Sequence, residues 1–442
     1  MPSDKGHSML TEAAFMTLPG WARAFWRMDR EKLFNEYCRY PDLFHVTRPE
    51  NLKRYMFFYQ GQRREFHYFP VESMRENRGR CMAGFRFFME KTARVVMANK
   101  PDEAAKYAGV LAHVLEDAGY GQHGLEGPMG FNRPFGTPYP MLLQLFPAPE
   151  NEKFRPVQQM VLSRPDEPEI SLKDYKPRLL GLSPVEAAFH LYERYWDVLR
   201  TTRGNIAKVI EAFYADDIRK MNGIIRVMLA ESTRAVADMF YTALSIEKKR
   251  FKSSELEKSR EVHLEKLTPL YRPWYTTTSR GYTHNCLIEN FNLDENFRPV
   301  RLSVLMKVNG KIKPVAFQHG IGTGGGWDFK KDKGVDYKIG YAIPAGVYDE
   351  FKVVAGLNCR LANKGNVRLQ ICWNGRKVWD SGLISGKEPM GELTVNVVRG
   401  GILDLVFKAS GALKEEVHVV WGNPILSKYS RFELEFGKEP RL

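Results

Sequence analysis

His113-Val114-Leu115-Glu116-Asp117 sets an imidazole and a carboxylate four residues apart, which places them on one face of a helix. His123 follows six residues later, beyond Gly119 and Gly121, where such a helix should end. A helix that fixes two donors and a loop that brings a third around form a metal-binding arrangement. Imidazole and carboxylate without thiolate suit zinc. An isolated His-x3-Asp is more commonly a surface pair or a satisfied core contact. The third histidine and further donors upstream raise this string above that reading. They are His7 in Gly6-His7-Ser8, Asp42 in Tyr40-Pro41-Asp42, and His67 in Phe66-His67-Tyr68-Phe69. Among the early histidines, His45 pairs with no carboxylate or motif.

The elements that must position these donors read as helices. Leu10 to Leu18, Lys32 to Cys38, Arg80 to Ala98 and Asp102 to Ala118 carry apolar residues three and four apart, and Pro101-Asp102 is a helix start. The longest pattern runs from about Asn205 to Leu244, with a kink expected at Asn222-Gly223. Its apolar stripe reads as core packing in a helical bundle. Residues 124–183 are rich in Pro and Gly and hold no period, as a long ordered insertion or lid would. Residues 247–266 are a mixed-charge run, read as a helix end or linker.

After Pro269 the period changes to two. Strands are expected at 301–308, 338–343, 350–357, 366–373, 377–379, 393–398, 402–408 and 416–420, with tight turns at Asn309-Gly310 and Asn374-Gly375. Short strands at this spacing predict an all-β sandwich. The fold class is therefore two-domain, with a helical domain over 1–264, carrying the insertion 124–183, and a sandwich over 265–442.

The 442 residues suffice for two cores, and 43% hydrophobic with 27% charged residues excludes a mainly disordered chain. No run of about 18 apolar residues suggests a transmembrane helix. The net charge of +14 favours anionic partners without choosing between nucleic acid, lipid and sulfated glycan. Cys38, Cys81, Cys286, Cys359 and Cys372 are too scattered for a disulfide scaffold. Cys359 and Cys372 either pair across neighbouring strands or stay free and buried. The first residues show no signal peptide, so the protein is either cytoplasmic or shorn of its signal.

Over residues 1–200 the order of donors resembles the zinc-dependent phospholipase C family, whose trinuclear site is shared by single-strand-specific nucleases. The resemblance implies an all-α domain with up to three zinc ions. One would be held by Asp42, His67, His113 and Asp117. Asp117 would bridge to a second, bound by His7 and the amino terminus. The third would use His123 and His190 with a carboxylate. Met1 stands where the family has a tryptophan, and Arg194 stands four residues after His190 where the family has an acid. Glu193 or Glu186, each one turn from His190, would serve instead, with Glu193 preferred. Arg194 should point away from the ions or towards a substrate phosphate. The resemblance implies phosphodiester hydrolysis, with Asp42 as ligand and general base, on a phospholipid or other phosphodiester, through peripheral membrane contact. Phe66, Tyr68, Phe69, Phe131 and Phe135 are candidates to line the cleft, although aromatics there more commonly belong to the core.

Residues 300–428 resemble the NPCBM type of carbohydrate-binding module. The resemblance rests on Gln318-His319-Gly320-Ile321-Gly322-Thr323-Gly324, on Gly346-Val347-Tyr348-Asp349 through Leu357, on Val367 through Gly382, and on His418-Val419-Val420-Trp421-Gly422-Asn423. It implies a glycan partner, with Trp327, Trp373, Trp379 and Trp421 as possible platforms. Trp421 reads as core, and His319 as a turn residue rather than a ligand contact. The leading function is a zinc-dependent phosphodiesterase with an appended glycan-binding sandwich. A nuclease on the same site, and a non-catalytic glycan-binding protein with a degenerate site, are the alternatives. A secreted or periplasmic address follows from the two resemblances. No protein partner is expected.

Overall fold

The computed structural model describes residues 4–26, 30–47, 53, 55–67, 74–120, 169–271, 290–294, 296, 298–324, 326–328, 333–363, 366–409 and 417–428. The chain divides into two compact units, 1–256 and 257–442.

The first unit contains helices α1 (Asp4–Met16), α2 (Gly20–Trp26), α3 (Arg30–Asn35), α4 (Tyr40–Thr47), α5 (Met74–Met97), α6 (Pro101–Gly119), α7 (Pro184–Tyr214) and α8 (Ile218–Lys248). Helix α9 (Ser253–Lys258) spans the division. From Ala108 to Gly119 every residue of α6 is buried. A helix covered on all sides must sit inside the bundle, and α5, α7 and α8 all pack on it. Small residues permit the close approach. A Cβ on Gly119 would lie 2.5 Å from Ser232 Oγ on α8.

The expected long helix over 205–244 is two helices, and the break is at Ala215–Asp217 rather than Asn222-Gly223. Asp216 adopts a left-handed φ of 52°. Asp217 then caps α8 by accepting from the Lys220 amide. Gly223 lies within α8, with open space where a Cβ would stand.

The unit is not wholly helical. A hairpin of β1 (Phe57–Tyr59) and β2 (Gln62–Arg64) turns at Gln60-Gly61, both with positive φ, the geometry of a two-residue hairpin. Most of the Pro/Gly-rich insertion lies outside the described residues. Its last part packs on α8, where Tyr175 Oη and the Arg178 amide both donate to Asp238 Oδ1 at 2.7 Å.

The second unit is a β-sandwich and starts earlier than the expected boundary at 265. Its first strand, β3 (Glu261–His263), lies in the mixed-charge run read as a linker. The remaining strands are β4 (Asn292–Leu293), β5 (Pro299–Val300), β6 (Ser303–Val308), β7 (Lys311–Ala316), β8 (Gly320–Gly324), β9 (Gly326–Asp328), β10 (Lys333–Val335), β11 (Tyr337–Ile343), β12 (Glu350–Leu357), β13 (Val367–Trp373), β14 (Arg376–Ile384), β15 (Glu392–Asn396), β16 (Gly401–Ala409) and β17 (His418–Ser427). One sheet runs β11-β16-β13-β14. The other runs β15-β12-β17-β3, with β8 also on β17. All of these pairings are antiparallel. The Asn309-Gly310 and Asn374-Gly375 turns have positive φ throughout, as the hairpin turns require. Alternation supplies the core. Leu369 and Ile371 of β13 are fully buried, as are Leu403, Leu405 and Phe407 of β16. Cys359 and Cys372 are both free and half-buried, so they neither pair nor sit fully in the core.

Candidate metal centre

Four parts of the first unit deliver the donors: α1 (His7), α4 (Asp42), the segment after β2 (His67), and α6 (His113 and Asp117). Packing explains why they meet. A Cβ on Gly109 would lie 2.6 Å from the Tyr37 carbonyl carbon and 2.9 Å from the Cys38 amide, so only glycine lets that backbone rest on α6. One turn further along α6, His113 Nδ1 donates to the Cys38 carbonyl at 2.7 Å. That bond fixes the tautomer and leaves Nε2 as the outward nitrogen. His67 is placed by its neighbour. Phe66 is buried against Phe88, with centroids 5.2 Å apart, and over Gly84, where a Cβ would meet its ring at 2.2 Å. Phe66 therefore belongs to the core and does not line a cleft. Tyr68, Phe69, Phe131 and Phe135 lie outside the described residues.

The Nε2 atoms of His67 and His113 each lie 3.2 Å from Asp117 Oδ2. His67 Nε2 is 3.3 Å, and His113 Nε2 3.8 Å, from Asp42 Oδ1. His7 Nε2 is 3.7 Å from Asp117 Oδ1 and 3.8 Å from Asp42 Oδ2. Asp117 thus turns one oxygen to His67 and His113 and the other to His7. The His7 and His113 rings stack at 4.1 Å. His7 Nδ1 donates to Glu116 Oε2 at 2.7 Å, and Thr11 Oγ1 donates to Glu116 Oε1 at 2.5 Å.

Charge follows burial and contact. Burial, the largest influence, holds His113 below the ordinary histidine range, which favours the neutral imidazole that a metal needs. Burial also pulls His67 down, but its contacts with Asp117 and Asp42 prevail and lift it to about 10. Burial would raise Asp42, yet His67 and His113 beside it hold it below the usual carboxylate range. Glu116, fully buried, is pushed up to about 8 despite the Thr11 hydrogen bond.

A divalent ion fits this donor set. His113 Nε2 and Asp42 Oδ1 are buried and make no hydrogen bond among the described residues. Two zinc bonds of roughly 2.1 Å meeting at a tetrahedral angle put their donors about 3.4 Å apart, close to the separations here. Two three-donor sets converge, His7 with His113 and Asp117, and Asp42 with His67 and His113. Because His113 has only Nε2 to offer, it serves one ion, and Asp117 is placed to bridge.

The other expected ligands divide. His123 and the amino terminus lie outside the described residues. No three-donor group among the described residues includes His190 or Glu193. His190 is half-buried on α7 against Phe189, and Glu193 is buried one turn on. Glu186 is engaged at the start of α7, where it accepts from the Leu182 amide while Ser183 Oγ accepts from the Glu186 amide. Arg194 turns to α8, donating to Glu231 Oε1 at 2.7 Å and Asp238 Oδ2 at 3.2 Å.

Glu116 and the Cys38 carbonyl complete the site without belonging to any motif in the sequence. Thr11, one turn after His7 on α1, shares Glu116 with it, but a lone threonine in a helix carries no signal of that contact. A backbone carbonyl leaves no mark in the sequence either.

In the second unit Trp421 is fully buried and is core, not platform. Trp373 and Trp379 are half-buried on adjoining strands, and the Trp327 side chain lies outside what is described. The His319 ring meets Glu265, while its carbonyl accepts from the Asn423 amide.

Residues 291–427 match the NPCBM/NEW2 domain. That segment is an NPCBM/NEW2 domain, so the second unit carries a carbohydrate-binding-module fold. No curated protein matches the chain. Among solved structures, the chain is similar to the CBM51 of Clostridium perfringens GH95 in complex with methyl-galactose, with 20% identity over 38% of this chain and 99% of that one and a TM-score of 0.28. The tandem CBM51 modules of a family 98 glycoside hydrolase from Streptococcus pneumoniae give 16% identity over 40% of this chain and 50% of theirs, with a TM-score of 0.28. Alpha-toxin from an avian strain of Clostridium perfringens gives 9% identity over 96% of this chain and 98% of that one, with a TM-score of 0.32.

Proposed function

We propose that the chain is a zinc-dependent phosphodiesterase of the phospholipase C type, acting outside the cytoplasm, whose second unit holds a glycan. The observation that supports it is the convergence of His7, Asp42, His67, His113 and Asp117, with the inner nitrogens of His7 and His113 already fixed by Glu116 and the Cys38 carbonyl. Zinc bound there would supply an acidified water and positive charge for phosphate oxygens. Asp42, at 16% the most exposed of the five side chains, is the carboxylate able to take a proton from water at the mouth of the cluster. Glu116 holds His7 in one tautomer. The NPCBM/NEW2 domain supports the glycan-binding half of the reading.

The test is metal analysis with turnover of a chromogenic phosphodiester. His113→Ala and Asp117→Ala should each abolish hydrolysis and lower the zinc content, with the far-ultraviolet circular dichroism retained. Full activity in either variant would refute the reading. The net charge of +14 suits anionic lipid and nucleic acid alike, so single-stranded nucleic acid is the second substrate class for the same residues. Competition between an oligonucleotide and a phospholipid separates the two.

A further inference from the structure

The long strand β17 carries two partners end to end along one edge. β8 pairs Gly320 with Gly422, and β3 pairs His263 with Ile425. Between them stand Asn423, at a left-handed φ of 50°, and Pro424, which has no amide hydrogen to continue a ladder. The gap is flanked by His319, just before β8, and His263, the last residue of β3. Glu265 enters it from the short 3-10 turn Leu264–Lys266, which is anchored by fully buried Leu264.

One donor atom from each of His263, Glu265 and His319 lies within 4.8 Å of the other two. The imidazoles stack at 4.0 Å. Glu265 Oε1 is 3.0 Å from His319 Nδ1 and 3.8 Å from His263 Nδ1, separations that bracket the spacing of donors around one zinc ion. A hydrogen bond between His319 and Glu265 explains only part of this arrangement. His263 Nδ1 and Glu265 Oε2 are both buried with no hydrogen-bond partner among the described residues. A buried polar atom left in that state is costly, and a single cation between the three side chains satisfies both.

We propose that His263, Glu265 and His319 form a zinc site in the second unit, separate from the cluster of the first. Two imidazoles and one carboxylate select a divalent transition ion over calcium or magnesium, which prefer all-oxygen shells. The His319 side chain, 40% exposed, leaves the fourth position to water. The ion clips β3 and its turn to the start of β8 across the place where Pro424 interrupts backbone pairing.

The test compares zinc per chain, by mass spectrometry after loading and dialysis, in the full-length protein and its variants. His319→Asn changes an exposed rim residue and should lose one zinc per chain while keeping its near-ultraviolet circular dichroism and its phosphodiester hydrolysis. Glu265→Gln should do the same. The double variant His113→Ala with Asp117→Ala should lose hydrolysis and still hold one zinc that His319→Asn then removes. Equal zinc in the wild type and His319→Asn overturns the proposal, as does a His113/Asp117 double variant that holds none. Failure of the first cluster alone reads differently, as absent hydrolysis with this zinc retained.

Discussion

The inner nitrogens of His7 and His113 end on protein acceptors, one a carboxylate that is itself held by Thr11 and the other a main-chain carbonyl. Removing such outer contacts typically lowers metal affinity about 10–100-fold. Glu116→Gln should therefore weaken zinc by that order in a competition titration, and an unchanged affinity would show that the contact does not orient His7. His67 sets the proton balance. Its folded value stands near 10 against an ordinary 6.5. The metal-free chain gains stability from this proton fully below about 6.5, and loses it as pH rises through about 10. Zinc competes with the same proton. Uptake at pH 7 should release it, and affinity should strengthen as pH rises. Calorimetric titrations in two buffers of different ionisation heat check this, and identical heats would count against it. At this scale His113 and Asp117 were legible because helical spacing puts both on one face. The acceptors of His7 and His113 were not, because Glu116 stands beside Asp117 in the buried run of α6 with no motif of its own and a carbonyl has no sequence identity.

The elements meet through glycine. Where Tyr37–Cys38 rests on Gly109, a side chain has no space. Gly109→Val should push that segment away from α6, cost about 1–3 kcal/mol by overpacking, and detach the Cys38 carbonyl from His113. Chemical denaturation and zinc titration should then fall together. Normal stability with normal zinc binding would show that the approach is dispensable. The strands of the two main sheets from β11 to β17, and β6, stand at or overlap where alternation and the Asn-Gly turns put them, whereas β4, β5 and β7 to β10 were not expected. β3 escaped because a three-residue edge strand inside a charged run shows no period of its own and is defined by its partner, β17. The break at Ala215–Asp217 escaped for a similar reason. The apolar stripe continues across it, and only the left-handed Asp216 and the Asp217 cap interrupt the helix.

Two compact units with separate cores should unfold in two transitions in scanning calorimetry. Saturating zinc should stabilise the helical unit by about 3 kcal/mol at a hundredfold excess over its dissociation constant. The part of that shift arising in the first unit should persist in His319→Asn and vanish in His113→Ala with Asp117→Ala. A single transition, insensitive to chelator, would contradict both the division and the metal. The change of period made this plan readable early. The position of the boundary was not readable, because it depends on which sheet β3 joins.

That sheet also has a direction in time. β17 lies between β12 on one side and both β3 and β8 on the other, and it is the last strand among the described residues. During synthesis the helical unit can close as soon as its own residues emerge. β3, made next, must wait until residues 425–427 leave the ribosome before it has anything to pair with. Such long-range pairing is slow to form and leaves strand edges uncovered meanwhile. A nascent chain stopped before His418 is therefore expected to present a finished first unit beside a sheet that lacks its central member, the species on which chaperones would act.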